Sequence, residues 1–252
     1  PVIGAILMLA MTVVSALIFY FYDLDNRTKI TLILGGGLSN SGFTGGAFVC
    51  YALFGPEGLG LANVFLILSV PIFYILFMPL LKFFDMKAKK HENALNILHF
   101  FDARMLVIPT AVIAFALNFG KMPFPNIIND LYLVDILVFS ISALSFLAIG
   151  LRLKISRVRH FIRLYFPMAV IKFILTPLLA IAILIILEKA GQDLSPVVQK
   201  VAIILSASPS AVMMVTMSNV FDLNGPLASA LWIVTMILFV FIVVPVLCLI
   251  LI

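Results

Sequence analysis

Gly35-Gly36-Gly37-Leu38-Ser39-Asn40-Ser41-Gly42-Phe43-Thr44-Gly45-Gly46 gathers six of the chain's 14 glycines into twelve residues, inside an apolar segment, 30–54, long enough to cross a bilayer. A spanning segment has no water to satisfy its backbone. A glycine-dense break bearing Ser and Asn is therefore tolerated at that depth only where protein or a water-filled cavity surrounds it. The stretch predicts a broken transmembrane helix and, with it, a binding site.

Composition supports the membrane reading. Of 252 residues, 64% are hydrophobic and 11% charged, and the mean hydropathy is +1.25. That leaves too little polar surface to coat a soluble globule. The apolar stretches mostly exceed the roughly 20 residues a helix needs to cross the hydrocarbon, which excludes the ~10-residue alternating segments of a β-barrel. The predicted fold is an all-α polytopic helix bundle with eight transmembrane spans at 2–22, 30–54, 59–83, 98–119, 131–151, 161–187, 197–221 and 227–252. The connections 23–29, 55–58, 120–130 and 222–226 carry the Gly, Pro, Asn and Asp of turns.

The first apolar stretch has neither a basic leader nor a small-residue cleavage site, so it reads as a true span. A chain opening at Pro1 predicts a truncated N-terminus. Cys50 and Cys248 fall inside spans and are read as packing residues. Twelve of the 16 Lys and Arg residues fall on one side, in the 23–29 turn and the basic loops 82–104 and 152–163. The excess of Lys and Arg marks the cytoplasmic side, so these loops are predicted inside and both ends of the chain outside, in a plasma or inner membrane. The net charge of +5 needs no nucleic acid to explain it.

A second interruption, Ser206-Ala207-Ser208-Pro209-Ser210, breaks span 197–221 near its middle. Proline there removes one backbone hydrogen bond, and its ring clashes with the preceding turn. Five spans separate the two broken helices, and an odd offset inverts orientation. Spans one to three and six to eight thus form two oppositely directed groups, each with its middle helix interrupted. Paired interrupted segments of this kind mark the binding site of a secondary transporter. Half-helix N-termini at the crossing suit an anion, and unwound carbonyls suit a cation. The expected solute is a small organic anion such as a carboxylate.

At these residues the chain resembles a known family. Residues 39–47, followed by Leu53-Phe54-Gly55-Pro56-Glu57-Gly58-Leu59, are similar to the Asn-Thr-Gly-Phe-x-Gly-x-Pro stretch and Phe-Gly-x-x-Gly-Leu turn of the auxin efflux carrier family of membrane permeases. Residues 207–212 resemble that family's Pro-Ser-Ala-Val crossover, 227–231 its final-helix start, and Lys172 with Pro177 its Lys-x-x-x-x-Pro pattern. The resemblance implies inverted repeats and an architecture shared with bile acid/sodium symporters, with eight of an expected ten spans present. It assigns 1–83 and 161–252 to two core repeats with crossovers at 39–46 and 206–210, and 98–151 to panel helices. The chain departs from the family at Ala47, where proline is frequent, and at Met213, where many relatives carry asparagine.

Ser39, Asn40, Ser41, Gly42, Thr44, Ser208, Pro209, Ser210 and Met213 are the candidate substrate-binding residues. Asn40 can donate and accept, which suits a carboxylate or a coupling ion as well as the opened backbone. Serine and threonine also commonly bond their own helix carbonyls. Lys172, deep in its span, is expected to face the protein interior or water. It could hold substrate charge, stand in for sodium, or cap carbonyls of the broken helices. Asp135 and Asp102 start spans and read first as dipole-favoured caps, with a proton relay at Asp135 as the alternative.

His91, His99 and His160 lack metal-ligand spacing, and neither a metal nor a cofactor is expected. The absence of phosphate-binding, zinc-protease and nucleophile-elbow motifs points away from an enzyme and toward gradient-driven transport. Coupling to H+ or Na+, homodimerisation, an ion-coupled symporter and a non-transporting membrane receptor stay open as alternatives.

Overall fold

The computed structural model describes residues 1–88 and 161–251, with isolated positions between 113 and 147. The chain divides into two units, one made of Pro1–Ser69 with Arg152–Ile252 and the other of Val70–Leu151. The described residues are helical, apart from turns and one isolated bridge. Four helical runs among them are long and apolar enough to cross a membrane: Val2–Tyr20, Gly46–Lys82, Ile162–Lys189 and Gly225–Leu251. The predicted spans 98–119 and 131–151 lie outside the described residues, apart from those isolated positions.

In the first unit, α1 (Val2–Tyr20) packs on α2 (Asn26–Gly37). The N-cap Asp25 starts α2 by accepting the amide of Thr28 at 3.1 Å. At 12 residues α2 rises only about 18 Å, too short to span hydrocarbon alone. The chain unwinds after Gly37 and becomes helical again at Gly46, where α3 (Gly46–Leu66) begins. Within α3, Gly55 has φ 63° and ψ −151°, a conformation only glycine adopts without strain, and Pro56 follows it. The predicted turn at 55–58 is thus a kink between two helical pieces. The described part of the Val70–Leu151 unit contains α4 (Met78–Ala88), preceded by a π-turn at Phe73–Phe77.

In the remainder of the first unit, α5 runs Ile162–Lys189. The N-cap Ser195 and the first-turn Pro196 open α6 (Pro196–Ser206). A break follows before α7 (Val212–Val220), which ends in a Schellman turn with Asp222 at φ 49° and the Leu223 amide bonded to the Ser218 carbonyl at 2.8 Å. Asn224 then caps α8 (Gly225–Leu251) through the amide of Leu227. Six residues at most 3% exposed, Ala47, Cys50, Ala62, Val201, Ile204 and Leu205, form an apolar core joining α3 to α6.

Three π-turns share one cause. Phe73–Phe77 precedes Met78-Pro79, Ile171–Leu175 precedes Thr176-Pro177, and Phe239–Val243 precedes Val244-Pro245. In each, the residue before the proline donates its amide to the carbonyl five residues back. Proline has no amide, and its ring crowds the carbonyl four residues earlier, so a widened turn relieves both faults. At the second of them the Thr176 hydroxyl also donates to the Ile171 carbonyl, at 2.7 Å.

Candidate functional site

The two breaks cross and pair. Ser39 and Ser210 form an isolated antiparallel bridge, in which the Asn40 amide donates to the Pro209 carbonyl at 2.7 Å and the Ala211 amide to the Leu38 carbonyl at 3.1 Å. Each break thereby satisfies backbone groups that unwinding has freed in the other, as an apolar environment requires.

Side chains complete the exchange reciprocally. Ser210 Oγ donates to the Gly35 carbonyl in the last turn of α2 at 3.0 Å, and Ser41 Oγ donates to the Leu205 carbonyl in the last turn of α6 at 3.2 Å. The Ser210 amide donates to Thr235 Oγ1 on α8 at 3.2 Å. The hydroxyls of Ser206 and Ser208 turn back on their own helix, to the carbonyls of Ile203 and Ile204.

Asn40 organises the longer break. Its Oδ1 accepts the Thr44 hydroxyl at 2.9 Å, its Nδ2 donates to the Thr44 carbonyl at 3.3 Å, and its own carbonyl accepts the Gly46 amide at 2.9 Å. With the Gly45 amide donating to the Gly42 carbonyl at 3.0 Å, these bonds close the Gly42–Thr44 loop onto the start of α3. Nδ2 also points at Met236 Sδ on α8, 3.6 Å away. Gly46 lies so close to Ser208 that a Cβ there would overlap its hydroxyl. Phe43 and Phe48, both more than half exposed, meet edge to face at 5.9 Å beside the loop.

Lys172 is fully buried and reaches the same crossing from the π-turn of α5. Its Nζ donates to the Leu38 carbonyl and to Ser39 Oγ, each at 2.8 Å. The Leu38 oxygen therefore serves both Lys172 and Ala211. Ser39, Asn40, Ser41, Gly42, Thr44, Ser208, Pro209, Ser210 and Lys172 are gathered here, while Met213, half-buried, stands in the first turn of α7. Asp135 lies outside the described residues, as does Asp102.

Sequence reasoning missed the acceptors at Gly35 and Leu205, together with Thr235 and Met236 on α8. The first two act through backbone carbonyls and carry no side-chain signal.

Apolar helices around an internal crossing of two broken helices define a polytopic integral membrane protein with a protected polar centre. A family model for membrane transport proteins matches residues 1–247, and the chain belongs to that family, which includes the auxin efflux carriers. It is a family of transporters rather than of enzymes. Neither a curated protein nor a solved structure matches the chain.

Proposed function

We propose that this membrane transport protein is a secondary carrier that moves a small organic anion, such as a carboxylate, by alternating access. The pairing of the two breaks at Ser39 and Ser210 carries the reading. α3 begins seven residues after Ser39 and α7 two residues after Ser210, and the positive dipole ends of both helices are suited to an anion. Because Asn40 and the hydroxyls of Ser41, Ser208 and Ser210 already donate to the protein, the solute is held chiefly by backbone amides of Gly42–Thr44 and the α7 start. Ser39, Ser41, Ser208, Pro209 and Ser210 hold the crossing in shape around the site, and Met213 provides an apolar side.

Matched local features support inverted core repeats at 1–83 and 161–252, with 98–151 as the panel. After each break comes a positive φ, at Gly55 or Asp222, then a nearby proline, and later a π-turn before Met78-Pro79 or Val244-Pro245. The Lys and Arg excess in the basic loops 82–104 and 152–163 supports a cytoplasmic position for that side.

Counterflow in proteoliposomes tests the reading. Uptake of labelled carboxylate driven only by unlabelled carboxylate on the opposite side is the expected result. Saturable binding without exchange would make the protein a receptor, and exchange that requires sodium would make it an ion-coupled symporter.

A further inference from the structure

Among the described residues, Lys172 is the only buried side chain of the Lys, Arg, Asp and Glu types, and it is 0% exposed. Its two partners, the Leu38 carbonyl and Ser39 Oγ, both offer oxygen at 2.8 Å. Leu38 is the C-cap of α2, so the amino group lies at the negative end of a half-helix. Unwound carbonyls and half-helix C-termini are the surroundings that hold small cations inside transport proteins. The π-turn Ile171–Leu175, imposed by Pro177, fixes the face from which the side chain reaches this spot.

We infer that the Lys172 amino group fills a monovalent-cation site made by the Leu38 carbonyl and Ser39 Oγ, so that shortening the side chain opens this site to small ammonium or alkali cations. In the native chain the cation is covalently tethered, and added salts find the position taken. Lys172→Ala removes Cγ, Cδ, Cε and the amine together, leaving room for methylammonium, which reproduces the lost Cε and Nζ. Lys172→Met leaves an apolar chain in that volume and admits no cation. This inference concerns occupancy of one position and stands independently of which solute is carried.

The test is thermal unfolding of the full-length purified chain in chloride salts of N-methylglucamine, sodium, potassium and methylammonium at equal ionic strength. The native melting temperature is expected to be the same in all four. Lys172→Ala should melt lower in N-methylglucamine and regain at least half the loss, saturably, in methylammonium or an alkali cation, with Lys172→Met showing no such response. Adding Ser39→Ala to Lys172→Ala should weaken the recovery. If Lys172→Ala gives no folded chain in N-methylglucamine, folded yield with and without methylammonium becomes the readout. Absence of recovery by every small cation, or equal recovery in Lys172→Met, overturns the inference.

Discussion

Ser210 Oγ donates to the Gly35 carbonyl at 3.0 Å across 175 residues of sequence, and the bond closes a helix end that the Gly-rich break has left open. In the reciprocal direction Ser41 caps Leu205. Neither crossing strand could be unwound at this depth without the other. The two breaks are one structural unit, and the proposed binding site rests on their pairing.

Ser210→Ala should lower stability by about 0.6–1.7 kcal/mol, from the average to the largest interhelical hydrogen bond measured within membranes. The effect reads as a lower melting temperature in detergent, with a larger fractional loss in exchange activity than Ser206→Ala, whose hydroxyl bonds only its own helix.

Gly46→Ala should cost about 1–3 kcal/mol, because the new methyl overlaps the Ser208 hydroxyl and lies 2.9 Å from Leu205 Cδ2. Gly60→Ala, with nothing within 4 Å of the added carbon, should be tolerated. Parallel thermal melts distinguish the two.

Thr44→Val removes the hydroxyl that donates to Asn40 Oδ1 at 2.9 Å and loosens the Gly42–Thr44 loop. A loss of about 1 kcal/mol accelerates hydrogen exchange in the 38–48 segment roughly fivefold. Mass-spectrometric exchange checks this, with the 161–189 segment as an internal control.

Two polar contacts on the same side of the crossing should differ in worth. The Arg27–Asp222 ion pair at 2.8 Å has side chains 56% and 64% exposed, so Asp222→Asn should change stability by no more than about 1 kcal/mol, less in high salt. Asn224 caps Leu227 and also donates to Thr28 Oγ1 at 2.9 Å, and Asn224→Ala should cost about 1–2 kcal/mol with little salt dependence.

Hydrogen bonding from the Thr28 side chain holds the Asp25 carboxyl below its ordinary value, against a smaller opposing effect of desolvation. A depressed folded-state value means the stabilisation is present above the unfolded value, about 3.9, and disappears as pH falls through the folded one. The melting-temperature gap between native chain and Asp25→Ala should therefore be flat from neutral pH to about 5 and close in stronger acid.

The sequence made the breaks legible because they violate local rules. Six glycines beside Ser39 and Asn40, and Pro209 within a serine cluster, have no place in an uninterrupted membrane helix. Membership of the transport family was equally readable, since the motifs lie in order along nearly the whole chain. The partners were not readable. Asn40 meets Met236 across 196 residues and Ser41 meets Leu205 across 164, and nothing local in either segment specifies such a pairing. The Lys172–Pro177 spacing was visible as a pattern, but its physical content appeared only with the widened turn between them.

That widened turn carries one residue more than a regular helix would need. Replacing Pro177 with alanine, with no residue removed, would let the segment return to even winding and swing everything upstream by about 100°. The chain would keep its helix and lose its aim, since the amine would sweep off Leu38 toward an adjoining face. A single proline thus acts as the angular reference for the centre of the molecule.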